Sequence, residues 1–86
     1  MKLFTVENLK SLDEKILELG GRNCRDPIAV GDSLSVEARP SAIVKVIEIE
    51  VYRRLVKELH HGYVGTLRVE VLSGDGPHLN ENLVGL

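Results

Sequence analysis

His60 and His61 stand side by side in the run "LVKELHHGYVG", Leu55 to Gly65. Adjacent imidazoles raise metal binding and proton transfer as the first chemistry to weigh, because histidine titrates near neutrality. At the end of a helix, neighbouring residues point about 100° apart, since one turn takes ~3.6 residues, so the two rings do not converge on one ion. A helical zinc pair uses the i, i+4 spacing of H-E-x-x-H, and this is not that spacing. A metal set must therefore draw on "SGDGPH" nearer the C-terminus, which makes His60, His61, Asp75 and His78 the candidate ligands. The simpler reading makes "HHG" a solvated helix end. Cations suit the negative end of the dipole, and Gly62 suits the left-handed residue that follows a helix.

Arg53, Arg54 and Lys57 lie just upstream and, with His60 and His61, make the one concentrated basic face. Such a face meets phosphate, a nucleic-acid backbone or an acidic partner, or it simply keeps a helix in solution. The loop "RNCRDP" sets Arg22, Asn23, Cys24 and Arg25 together, a combination able to hold an oxyanion or to activate a thiol. No histidine stands near Cys24 in sequence to act as its base. Glu48 and Glu50, with Glu37 and Glu70 on neighbouring strands, are paired carboxylates that do acid–base work only when burial tunes them. The turn "SGDGPH" matches neither a phosphate-binding loop nor a calcium loop. No triad, metal quartet or nucleotide fingerprint is visible, so an enzyme is not favoured and no cofactor is implied.

The elements that must carry these residues are read from periodicity. Leu9, Leu12, Ile16 and Leu19 recur at spacings of three and four, with Thr5 as N-cap and Gly20-Gly21 as terminator, which predicts a helix over Thr5 to Leu19. Leu34, Val36 and Ala38 alternate with Ser33, Ser35 and Glu37, which predicts a strand. The run from Ala42 to Val51 is dense in β-branched residues and reads as a second strand. Tyr52, Leu55, Val56 and Leu59 then sit at i, i+3, i+4 and i+7, which predicts a short helix to His61. Leu67, Val69 and Val71 alternate with Arg68 and Glu70 in a last strand, and Lys2 to Phe4 is a short first one. The expected fold is a small α+β, ferredoxin-like β-α-β-β-α-β sandwich, with two helices on one face of an antiparallel sheet. Its variant replaces residues 42–61 by one long helix, giving helix-strand-long helix-strand.

The chain of 86 residues, 43% hydrophobic, 28% charged and of net charge −2, has ordinary globular composition and is too short for two domains. Residues 1–76 are expected to form a single domain and 77–86 a C-terminal tail that docks or drives oligomerisation. The lone cysteine excludes an intrachain disulfide, and "MKLFTVENLK" carries neither a signal peptide nor a membrane span. A cytoplasmic protein without membrane contact is the expectation. The apolar "LVGL" and the non-polar second face at Val44 and Val46 point to a non-enzymatic binding or assembly module that forms a homo-oligomer, with a further protein partner open. The alternative is a nucleic-acid or phosphate-ligand binder using Arg53, Arg54, Lys57, His60 and His61; it is not favoured, because the strands lack central aromatic residues for stacking. Third comes a small enzyme whose His/Asp site forms between subunits.

Overall fold

No helix forms. The structure, a computed structural model describing Met1–Leu86, contains only strands: β1 (Leu3–Ser11), β2 (Ile16–Asn23), β3 (Ile28–Ala29), β4 (Ser33–Val36), β5 (Arg39–Val51), β6 (Arg54–Val56), β7 (Glu58–Leu59), β8 (Val64–Ser73) and β9 (Asn82–Gly85). They hydrogen-bond in the order β4-β9-β1-β2-β8-β5, all antiparallel, and β4 pairs again with β5. That last pairing closes six strands into a barrel, which removes the free sheet edges. β6 folds back on the end of β5, and β3 pairs with β7 as a separate small ribbon.

Alternation fills the interior. Phe4 and Val6 of β1, Leu19 of β2, Leu34 and Val36 of β4, Val44, Val46 and Ile49 of β5, Leu67 and Val69 of β8 and Leu83 of β9 are all fully buried. Ile28 and Leu59 of the small ribbon complete the core at one end. Two bulges reset the phase. Register shifts between Val6 and Asn8 in β1 and between Val46 and Glu48 in β5, so Glu7 and Ile47 are extra residues that turn outward. The second bulge explains why Val44 and Val46 looked like a misplaced apolar face. They point inward before the bulge, and Ile49 points inward after it.

The ferredoxin-like α+β sandwich, and its long-helix variant, are thus overturned. The helix expected over Thr5 to Leu19 is the β1–β2 hairpin, in which Leu9 pairs with Leu19 and the N–H groups of Leu12 and Asp13 donate to the Ile16 carbonyl. Of the four residues whose spacing suggested a helix, only Leu19 is fully buried, while Leu9 and Leu12 are exposed. The helix expected over Tyr52 to His61 is a tight turn followed by β6 and β7. Of its four proposed inward residues, Tyr52 and Leu55 face solvent, Val56 packs partly buried against the core and Leu59 is fully buried. Helical spacing over a few residues is also produced by a hairpin or a bulge, and cross-strand pairing decided between them. The C-terminal segment carries β9, which lies between β1 and β4.

Gly21 shows how tightly the barrel closes. A Cβ there would lie 1.9 Å from the Thr5 carbonyl oxygen and 2.9 Å from the Phe4 ring. Its glycine is therefore required by packing and not by the end of a helix. Gly21→Ala is expected to destabilise the fold by about 3 kcal/mol or more, since neither backbone nor ring can yield cheaply. Urea denaturation measures it, and a loss below about 1 kcal/mol would show that the barrel wall gives way.

Ion pairs fasten the ends. Glu81 accepts from Arg39 Nε at 3.2 Å and Nη2 at 2.7 Å and from the His78 N–H at 2.7 Å, tying the approach to β9 onto the start of β5. The Arg39 hydrogen bond holds the Glu81 carboxyl below its ordinary value of 4.5, against the upward push of burial. Burial also pushes Asp32 up, but hydrogen bonds from Lys2 and the Ala29 N–H outweigh it and leave the carboxyl lowered. A carboxyl depressed by folding stabilises the fold above its unfolded pKa, and that contribution is lost as pH falls through the folded one. Stability is therefore expected to decline on acidification below about pH 4.5. In Glu81→Gln the decline should be shallower and the starting stability lower, as read by urea titrations from neutral to about pH 3.

Candidate functional site

"HHGY" is a β-turn. The Tyr63 N–H donates to the His60 carbonyl at 3.1 Å, and Gly62, third in the turn, has φ +81°, the conformation glycine adopts without strain. Gly62 thus has the left-handed role the sequence suggested, but in a turn between strands. His60 and His61 are exposed, and the His60 ring meets Tyr63 edge-on with centroids 6.0 Å apart. The other two candidate ligands lie elsewhere in the chain's organisation: His78 sits beside Glu81 at 3.8 Å, and Asp75 is in the turn after β8 next to Arg39. No group of three His, Cys, Asp or Glu side chains comes together in a metal-binding arrangement.

The turn is pinned from beneath by Asn23, which is fully buried. Its backbone N–H donates to Tyr63 at 3.0 Å and its carbonyl accepts from Gly62 at 2.7 Å. Its side-chain amide donates to the carbonyls of Asp26 at 2.9 Å and Leu59 at 2.8 Å, and its side-chain oxygen accepts the Arg25 N–H at 3.1 Å. Every polar group of Asn23 is thus occupied within the chain, so the oxyanion role weighed for "RNCR" has no donor from it. Cys24 Sγ has weak contacts with Thr5 Oγ1 at 3.8 Å and the Arg22 carbonyl at 3.7 Å, neither of which is a base. Arg22 Nη1 donates to the Gly62 carbonyl at 3.0 Å, bracing the same turn from outside.

Between this turn and the small ribbon runs a groove of about 850 Å³, lined by Ala29, Val30, Val51, Val56, Lys57, Glu58, His60 and Tyr63. Its floor is apolar, and Lys57 and His60 bring charge and polarity to its wall. The β5–β6 hairpin continues the surface with Tyr52, Arg53, Arg54 and Leu55, all exposed. Arg53, Arg54 and Lys57 take part in no ion pair, whereas Lys2, Arg39 and Arg68 do. The basic residues named from sequence therefore share one end of the barrel, although on a hairpin and a turn. Tyr52, Tyr63 and the apolar groove residues were missed, because a helical reading placed Tyr52 and Val56 in the core.

Of the four carboxylates considered for acid–base work, Glu48 and Glu50 are held by Arg68, Glu37 accepts only from Asn82 Nδ2 at 3.3 Å, and Glu70 makes no ion pair. Arg68 on the outer face of β8 donates to Glu18 at 3.1 Å, Glu48 at 2.9 Å and Glu50 at 2.8 Å, across three adjacent strands. Hydrogen bonding to Glu50 foremost raises the guanidinium pKa further. An arginine so held braces the sheet across three strands.

No family model matches the chain, and neither does any curated protein. Among solved structures, the fold is similar to part of translation elongation factor SelB from Methanococcus maripaludis in its apo form, with a TM-score of 0.84 and 15% identity. The match covers 98% of this chain and 18% of that one, so the chain spans under a fifth of that protein's length. At this identity the likeness shows the fold, a closed β-barrel, and no more. No helix is long and apolar enough to cross a membrane.

Because Asn23 holds the turn, Asn23→Ala is expected to cost on the order of 2–3 kcal/mol by leaving buried carbonyls without a donor. Amide exchange at Gly62 and Tyr63 should quicken more than in the strands. Unchanged stability would show that water replaces the side chain at no cost.

Proposed function

We propose that the protein is a small non-enzymatic β-barrel binding domain that takes hold of a nucleic-acid backbone, RNA in the first instance, with the β5–β6 hairpin and the turn at His60. The observation that carries this reading is the absence of intramolecular partners for Arg53, Arg54 and Lys57 in a chain whose net charge is −2. Acidic groups pair with Lys2, Arg39 and Arg68; of the eight basic residues that make no ion pair, Arg53, Arg54 and Lys57 fall within five residues of one another, while Lys10, Lys15, Arg22, Arg25 and Lys45 are divided among other segments. Unpaired cations gathered at one end release counterions when phosphates replace them, and that release drives binding. His60, His61 and Arg22 add donors along the same rim. The likeness to part of a translation elongation factor supports a barrel used for binding in an RNA-rich setting.

Two of the observations that suggested a homo-oligomer have another explanation in the barrel. Val44 and Val46 are core residues, and "LVGL" contributes β9 to the barrel wall.

Fluorescence anisotropy with a labelled single-stranded RNA across a salt series tests the proposal. Affinity should fall steeply with ionic strength. In the variant Arg53→Ala/Arg54→Ala/Lys57→Ala the logarithmic salt slope should shrink by about 2, following ~0.7 per phosphate contact on single strands. Binding that is insensitive to salt, or unaltered in the triple variant, would overturn the proposal.

A further inference from the structure

The turn joining β5 to β6 is made of residues unsuited to its shape. Val51 pairs with Arg54, so Tyr52 and Arg53 alone make the connection, with φ of 50° and 65°. Positive φ at both central positions is the conformation that Asn-Gly satisfies, because a Cβ crowds the following carbonyl in the left-handed region. Elsewhere the chain obeys this rule: its other positive-φ positions are Gly31, Gly62, Gly74 and Asn80. Only at this tip does it force two large side chains into the strained conformation.

Packing does not account for the choice. Tyr52 is 90% exposed, stacks on no other ring and donates no hydrogen bond. Backbone strain kept at an exposed position, without a packing contact to hold it there, points to what the side chain does outside the fold. Tyr63, at the same end, is 51% exposed. The chain's two tyrosines therefore both face solvent in the part of the fold that carries Arg53, Arg54 and Lys57, while Phe4 is in the core.

Tyr52 and Arg53 also border a shallow groove of about 350 Å³ on the outer face of the barrel. Its base is the row in which Asn8 of β1 pairs with Gly20 of β2 and Gly20 with Thr66 of β8. Gly20 carries no side chain, and the Asn8 side chain leans over it (a Cβ at Gly20 would lie 3.2 Å from Asn8 Cβ and 3.4 Å from Nδ2), so Asn8 and Thr66 offer donors and acceptors along the row. Two carboxylates also border the groove: Glu50 already accepts from Arg68 at 2.8 Å, and Glu7 is exposed and makes no ion pair, so the phosphate is placed on the Arg53 side of the groove. A flat heteroaromatic ring laid on the Tyr52 phenol would thus have polar groups at its edge and the free guanidinium of Arg53 beside it.

We propose that Tyr52 is a stacking platform for an unpaired nucleobase, with Arg53 holding the phosphate next to it. This rests on the nucleic-acid reading above and narrows its ligand from any phosphate backbone to a single-stranded or looped segment. Every base has a π-face, so such a platform is tolerant of sequence but not of pairing, since a base inside a duplex has no face to offer. A neutral ring such as a sugar would make no use of the cations.

The test compares three probes at low salt: a labelled single-stranded RNA decamer, the duplex of the same sequence, and inorganic polyphosphate as a backbone without bases. The variants are Tyr52→Asn, which keeps every charge and suits the turn, and Tyr52→Phe, which keeps the ring. The wild type should prefer the single strand. Tyr52→Asn should melt several degrees higher, because the strain is relieved. It should also lose roughly tenfold or more in affinity for the single strand, the size of one base–aromatic stack, while its affinity for duplex and polyphosphate is unchanged. Tyr52→Phe should bind the single strand as the wild type does. If Tyr52→Asn binds the single strand undiminished while all three probes still bind, the stacking platform is overturned and the backbone reading survives. A wild type that binds none of the three overturns both. A Tyr52→Asn variant that melts no higher removes the strain on which the platform is argued.

Discussion

The double pairing of β4, with β9 on one side and β5 on the other, is the constraint on which the structure depends. A six-strand sheet of this length would otherwise expose two edges and leave its inner face half covered. Closure makes each of the six barrel strands a neighbour of two others and gives an 86-residue chain an interior it can fill with Val, Leu and Ile and a single phenylalanine. It also demands close approach of backbones at the wall, which is why Gly21 lies against Thr5 and Phe4 with no room for a methyl group. The bulges at Glu7 and Ile47 belong to the same demand. Each bends a strand around the barrel, and each costs the ladder one pairing.

With the barrel closed, the polar chemistry divides between bracing and free surface. Arg68 gathers Glu18, Glu48 and Glu50 along the outer wall, and Arg39 with Glu81 fastens the turn that leads into β9. These pairs are partly exposed, so their weight lies in fixing geometry more than in net stability. At the end where β5 turns into β6, no such pairing occurs. Arg53, Arg54 and Lys57 remain free, the histidines sit in a turn pinned by Asn23, and both tyrosines face outward. The histidine turn is thus held from below by a buried amide, and Arg53, Arg54 and Lys57 are exposed.

Three of the nine strands were legible. Alternation marked β4, β5 and β8 within a few residues of where they lie, because a half-buried strand shows its period of two wherever no bulge interrupts it. The hairpin β1–β2 was not legible, since Leu9, Leu12, Ile16 and Leu19 fall at helical spacings by way of the turn between the two strands. The β5–β6 hairpin was hidden for a different reason. Its turn carries Tyr-Arg in place of the Asn-Gly or Asp-Gly that announces such a connection. The basic residues were identified as a group from their clustering alone, but the groove beside them was not, because Val30 and Val51 reach it from distant segments.

By itself the sequence determined the scale and the materials: one small domain, an aliphatic core, a run of cations next to paired histidines, and stretches with the period of a strand. These are local properties, carried by residues within a few positions of one another. Tertiary structure alone decided that the segments before β2 and after β5 are strands and not helices. The reason is that strand pairing is non-local. Thr5 hydrogen-bonds to Asn82, 77 residues away, and nothing within either segment records that partner. A short apolar pattern compatible with either conformation takes the one whose backbone groups find partners when the barrel closes.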